Sequence, residues 1–391
     1  MAVRSKQSIK VGIFGHYLPI YRKGVMEKLS SMEDIDLTVH CTENFPAGLR
    51  LIKPEEVSFK LRDIRTLLFR IPFIKKMLSF QPAMLLKILS GSYDVYILPN
   101  TMSYLDVWAC LILSRILGRR VCLWGHGKGS INGTLANWLR KSFMNLADAL
   151  VFYTESARDE WKQAGISPNK MFVAYNALDT EESALIRSEI SESDVTEFVK
   201  VHGLENKKII VYTGRLLVRK RPDLIVDAMV RIITRVPEAH VIIIGDGVMR
   251  EEIQNRIADA KLNEHISLVG ALFDEKKIAY YLMASKIAVM PAAAGLFVQH
   301  VFDYGLPIVV GDDMSTHPPE IELVADGKTG LFFEDGNAAH LAERLLELLE
   351  DEEKRLQMSS NAKKVIQTKF NVNTMAEGLS QAIRYSCGKR Q

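Results

Sequence analysis

Short apolar runs rich in Val and Ile recur along the whole chain, and the segments between them carry apolar residues at i, i+3 and i+4. In the first half the runs are KVGIFG (10–15), IDLTVHC (35–41), DVYILP (94–99), RVCLWG (120–125), ALVFYT (149–154) and MFVAYN (171–176). In the second half they are KKIIVYTG (207–214), AHVIIIGDG (239–247), HISLVG (265–270), KIAVMP (286–291), LPIVVG (306–311) and GLFFED (330–335). Continuously apolar strands must be covered on both faces, and intervening helices supply the cover. The pattern predicts an α/β fold of two doubly wound Rossmann-like domains facing a cleft. The domains are expected over 1–178 and 207–371. Residues 179–206 are charged and lack a strand, so they read as an interdomain segment; 372–391 read as a C-terminal helix packing back across the cleft.

Composition is consistent with this plan. A length of 391 residues, 48% of them hydrophobic and 25% charged, supplies two cores. A net charge of +3 gives no reason to expect a nucleic-acid partner. The cysteines (Cys41, Cys110, Cys122, Cys387) form no C-x-x-C pair, so a reducing cytoplasm is expected rather than a disulfide framework or zinc site. The opening MAVRSKQSIK runs into a strand without a signal-peptide pattern. LDVWACLILSRIL, interrupted by Asp106 and Arg115, falls short of the ~20 apolar residues of a membrane span.

The most informative segment is VYTGRLLVRKRPDLIVDAMV, 211–230. A strand ends at Gly214, Arg215 follows, and Lys220 lies near the next helix start. Two cations and free helix amides at the carboxyl end of a parallel strand suit a diphosphate. GDGVMREEI (245–253) is a second glycine turn, with Gly247 at its apex, and PPEIELVADGKTGLFFEDG (318–336) a third, carrying Glu320. MPAAAGLFVQHVFDYGLPIVV (290–310) opens like a ligand loop at Gly295–Leu296 but has no acid before Asp303. The DID text at Asp34–Asp36 is a strand start, and no metal site is expected.

Taken in order, GRL-x-x-x-K, GDG, P-x-x-x-G-L, G-L-P-I-V-V and PE-I-x-x-x-x-DG-K-TG-L resemble the GT-B glycosyltransferases of family 4, the retaining sugar-nucleotide enzymes. The likeness is strongest over about 207–370; YNALDT (175–180) is similar to the family's turn into its second domain. It implies that Arg215 and Lys220 act on the donor diphosphate, with Gly214, Gly247, Gly295 and Leu296 around the donor. No metal or other cofactor is implied. One departure is plain: the family's E-x7-E positions fall on Ala292 and His300. The resemblance then leaves His300 as the candidate for the ribose contact, with Glu320 as a substitute acid.

In the first half, GHYLPIYRKG (15–24) corresponds to a family loop near the acceptor and donor phosphates, which marks Gly15, Tyr21 and Arg22. WGHGKGS (124–130) fails the Walker pattern, but its position implies a sugar contact and a catalytic role for His126. The stretch 60–90 carries seven Lys/Arg against one Asp among Leu, Ile and Phe, the composition of a segment lying on an anionic membrane surface. The expected activity is retaining transfer from a UDP- or GDP-sugar to a glycan or lipid-linked acceptor. Capsule, exopolysaccharide or lipopolysaccharide assembly is the implied setting, in the cytoplasm or peripherally on the inner face of the plasma membrane. Two alternatives stand beside it: a non-catalytic GT-B subunit that binds glycan or supports a partner, and a sugar-nucleotide epimerase.

Overall fold

The computed structural model describes residues 8–42, 52–70, 77–127 and 133–388. The chain forms two compact units, Met1–Asp179 with Asn371–Gln391, and Thr180–Phe370.

In the first unit a parallel sheet is built from β1 (Ile9–Phe14), β2 (Ile35–Cys41), β3 (Lys60–Asp63), β6 (Val95–Pro99), β7 (Arg120–Gly125), β8 (Ala149–Phe152) and β9 (Met171–Val173). The hairpin β4 (Leu67–Arg70) and β5 (Met77–Phe80) stands apart from it and is antiparallel. Strand order is β3-β2-β1-β6-β7-β8-β9, so the winding reverses between β1 and β6. Helices α2 (Pro82–Ser90), α3 (Leu105–Leu117) and α4 (Thr134–Asn145) contribute to the core on one face, joined by Ala157 and Trp161 of α5 (Glu155–Gln163). On the other face lie α1 (Lys23–Ser30) and α14 (Val372–Ser386).

The C-terminal helix is specified by small features of its sequence. A Cβ at Gly378 would stand 2.2 Å from the Val173 carbonyl, so glycine allows α14 to lie against the end of β9. Arg384 then clamps the Asp34 carboxylate with bonds of 2.9 and 3.1 Å. Asp36 pairs with Lys60 across β2 and β3. Both aspartates of the DID text are therefore engaged in structural ion pairs.

The second unit carries β10 (Lys208–Thr213), β11 (Ala239–Ile244), β12 (Ile266–Gly270), β13 (Ile287–Met290), β14 (Ile308–Gly311) and β15 (Gly330–Phe333). Its helices are α6 (Thr180–Glu189), α7 (Glu192–Val201), α8 (Asp223–Arg235), α9 (Arg250–Asp259), α10 (Glu275–Ala284), α11 (Phe297–Asp303), α12 (Ala338–Glu350) and α13 (Glu352–Thr368). The parallel order β12-β11-β10-β13-β14-β15 reverses between β10 and β13. Segment 179–206 is thus largely two helices, and α6 is tied into this unit. Asp303, with only 9% of its side chain exposed, accepts from Ser183 at 2.5 Å and from Arg187.

The basic stretch 60–90 is not one amphipathic element. Its described residues form an edge strand, a hairpin and helix α2, because Pro82 sets a new N-terminus at α2 and β-pairing takes the residues before it. Pro72 and its neighbours 71–76 lie outside the described residues. No helix among the described residues is long and apolar enough to cross a membrane.

Candidate functional site

Ligands of open parallel sheets sit beyond the carboxyl ends of the strands, where the winding reverses. In the second unit that position lies between the loops following β10 and β13. The β10 loop turns at Gly214, whose φ of 153° favours glycine. A Cβ there would stand 3.4 Å from Lys220 Nζ, which places the turn in contact with that ammonium. Lys220 reaches across the reversal and donates to the Ala293 carbonyl at 3.0 Å. Burial, with the charges of Arg219 and Arg215, lowers its pKa to about 8. Arg215 is exposed, and its guanidinium has no acidic partner among the described residues. The site therefore holds two cations close together without a protein anion to balance them.

The β13 loop is held in an unusual shape. Ala293 has a φ of +51°, a left-handed conformation costly for a residue with a Cβ, and Gly295 follows at +54°. His317 secures the loop: its Nδ1 accepts from the Ala294 amide at 3.2 Å and its Nε2 donates to the Gly311 carbonyl at 3.0 Å. Those roles require the neutral imidazole, and burial lowers its pKa. The amides of Gly295 and Leu296, just ahead of α11, have no acceptor among the described residues.

Other sequence candidates are placed differently. The glycines of GDG are explained by packing: Cβ atoms at Gly245 and Gly247 would stand 2.0 Å from the Gly214 carbonyl and 2.4 Å from that of Leu216. Gly247 thus fits the GDG turn flush against the loop bearing Arg215. His300 is not an isolated ring. Its Nε2 lies 2.7 Å from Glu275 Oε1 on α10, and Tyr304 donates to the same carboxylate at 3.3 Å. Glu320 is 3% exposed inside the 3-10 turn Pro319–Leu323, so it is not an open carboxylate. Arg221, next to Lys220, adopts φ +52° and pairs with Asp223 at the start of α8.

In the first unit the reversal lies between β1 and β6. His16, after β1, stacks on Tyr104, after β6, with centroids 4.1 Å apart, and burial lowers its pKa to about 4. Gly15 has no positive φ, and a Cβ there would meet the nearest atom at an ordinary 3.6 Å. Arg22 is buried, with its Cζ 5.3, 5.2 and 5.2 Å from the rings of Tyr21, Trp124 and Tyr153. His126 packs edge-on to Tyr153 at 4.7 Å. Its ring is exposed at the surface, yet the protein around it and the Arg22 charge lower its pKa to about 4, so it is neutral at pH 7. Sequence reasoning missed Ala293, His317, His16, Tyr104 and Trp124. The HP that opens HPPE was the sole textual hint to His317.

Two family models match in tandem: Glycosyltransferase Family 4 over residues 35–182 and Glycosyl transferases group 1 over 194–365. The chain belongs to glycosyltransferase family 4. Among curated family 4 relatives, it is 23% identical to an alpha-D-kanosaminyltransferase of Streptomyces kanamyceticus over 65% of this chain and 64% of that one. It is 26% identical to a GDP-mannose-dependent alpha-(1-6)-phosphatidylinositol monomannoside mannosyltransferase of Mycobacterium tuberculosis, over 48% and 50%. The matches therefore span about half to two thirds of those relatives' lengths. The fold is GT-B. It superposes on Alr3699/HepE of Anabaena in complex with UDP at a TM-score of 0.72, with 17% identity over 96% of this chain and 99% of that one. A glycosyltransferase from Rickettsia africae gives 0.74 with 12% identity, over 98% and 100%.

Proposed function

We propose that this family 4 chain is a retaining glycosyltransferase, moving a sugar from a UDP- or GDP-sugar to a glycan or lipid-linked acceptor in capsule, exopolysaccharide or lipopolysaccharide assembly. The observation that carries the proposal is the uncompensated Lys220–Arg215 pair at the winding reversal, with Lys220 bonded to the β13 loop at Ala293, two residues before the open amides of Gly295 and Leu296. A diphosphate there neutralises both cations. As the glycosidic bond breaks, negative charge grows on the leaving nucleoside diphosphate, and the same groups stabilise it. A leaving phosphate oxygen takes the proton of the attacking acceptor hydroxyl, which balances the transfer without a metal or other cofactor. Neutral His126 is suited to a hydrogen bond with the donor sugar. His300, carrying Glu275 behind it, is assigned the ribose contact of the absent glutamate.

A peripheral membrane position forms part of the proposal. Support comes from α2, α3 and α4, which expose Leu86, Leu89, Ile112, Ile116 and Trp138, with Lys87 and Arg115 on the same helices. Exposed apolar side chains with cations on the same helices suit anionic lipid. Co-sedimentation with anionic but not neutral vesicles supports the placement; equal recovery with both contradicts it.

The catalytic reading is tested by the Arg215→Ala/Lys220→Ala double variant. It should fold and lose turnover by about 10³-fold or more, whereas wild-type-like transfer contradicts the reading. The acid-free start of α11 motivates a second reading, a non-catalytic GT-B subunit. Absence of calorimetric heat with both UDP and GDP at millimolar concentration favours that one.

A further inference from the structure

Arg22 is a buried cation whose counter-ion is missing from the described residues. It is 7% exposed, and no carboxylate of the described residues lies within ion-pairing distance of it. Among the described residues its guanidinium makes one hydrogen bond, to the Met375 thioether at 3.1 Å, a weak acceptor. The three surrounding rings attract the charge through their faces, but they do not accept the in-plane N–H groups. Beside it the Trp124 Nε1–H is buried without an acceptor, and Asn100 Nδ2, at the end of neighbouring β6, is likewise unsatisfied. Burying an uncompensated charge is unfavourable, and each orphan donor adds to that cost. Every unmet need in this cluster is for an acceptor.

The cluster also lies where a ligand is expected. Arg22 ends the loop after β1, Asn100 follows β6, Trp124 and His126 close β7, and Tyr153 follows β8, all at the carboxyl edge of the first sheet. We infer that Arg22, with Trp124 Nε1 beside it, anchors an oxyanion, a phosphate or carboxylate carried by the acceptor substrate. The guanidinium fork meets two oxygens of such a group, and the indole N–H takes a third contact. The word acceptor rests on the transferase reading above; the oxyanion site does not. The same chemistry is also present in the donor's diphosphate, and the test separates the two sources.

The full chain is titrated calorimetrically with inorganic phosphate, and separately with UDP and GDP, at constant ionic strength. Wild type, Arg22→Met, Trp124→Phe and the Arg215→Ala/Lys220→Ala double variant are compared. The double variant should keep a phosphate site, which Arg22→Met weakens by about tenfold or more. Trp124→Phe keeps the ring but removes the N–H, and should weaken phosphate by about threefold or more while the melting temperature holds; it serves as the probe if Arg22→Met misfolds. Nucleotide affinity should stay within about threefold in both single variants. Unchanged phosphate binding in them overturns the site, and an equal loss of UDP and phosphate assigns the anion to the donor and overturns the acceptor role. A phosphate site present in a wild-type chain that gives no heat with either UDP or GDP overturns the transferase reading and leaves the oxyanion site standing.

Discussion

Replacing Lys220 by Met is expected to stabilise the protein while removing its affinity for a nucleoside diphosphate. The ammonium pKa falls from 10.5 to about 8 in the fold. That difference corresponds to roughly 3 kcal/mol held against the charged form. The unfolded chain keeps the proton up to about 10.5 and the fold only to about 8. The lysine therefore lowers stability below pH 8, and the penalty fades as the pH rises from 8 towards 10.5. Met is similar in length, and Met290 Sδ, 3.7 Å from Nζ, is an apolar neighbour for it. Against the gain stands the Ala293 carbonyl, which loses its donor at about 1–2 kcal/mol. The net gain at pH 7 is about 1–2 kcal/mol, a rise of a few degrees in the melting of a unit of this size. Thermal melts at pH 7 and pH 10, with and without UDP, read it directly. The variant should melt higher at pH 7, lose that advantage at pH 10, and gain nothing from UDP. A variant that melts lower at pH 7 and is still stabilised by UDP refutes the reasoning.

Further outcomes follow from the two loops. Ala293→Gly releases the left-handed strain and should be neutral or stabilising by up to about 1 kcal/mol, whereas Ala292→Gly should lose about 1 kcal/mol; equal losses in urea melts contradict the strain. Gly247→Ala should lose about 2–3 kcal/mol by forcing its Cβ against the Leu216 carbonyl, and an unchanged urea midpoint contradicts the packing. His317 has a lowered pKa, so its contribution is present above the unfolded value of 6.5 and lost as pH falls below it through the folded pKa. Hydrogen exchange at the Ala294 amide should therefore speed up relative to its intrinsic rate on acidification, and His317→Gln should abolish that dependence.

Both sheets were legible because their strands are apolar on both faces, and every run from Lys10 to Asp335 overlaps a strand. β3 was not legible. KLRD buries only Leu61, and its edge position depends on β2 being in place to receive it. The same residues, scored with their basic neighbours, read as a membrane-facing stretch. At the candidate site, the text pointed to Arg215, Lys220 and Gly295, because a glycine and a cation at a strand end suit a phosphate. It did not supply the Lys220–Ala293 bond or the His317 brace, which arise when loops distant in sequence meet. Nor did it reveal that His300 has a carboxylate behind it, because Glu275 comes from another helix. Arg22 was visible as a loop cation, but its missing counter-ion was not, because burial and partners are properties of the fold.

The central claim is that the reversal between β10 and β13 binds a nucleoside diphosphate through Lys220 and Arg215. Calorimetric titration of the wild-type chain with UDP and GDP, repeated on the Arg215→Ala/Lys220→Ala double variant, tests it most directly. The account predicts saturable binding of at least one nucleotide by the wild type, weakened by about 10²-fold or more in the variant. Equal binding by both proteins, or none by the wild type at millimolar nucleotide, contradicts it.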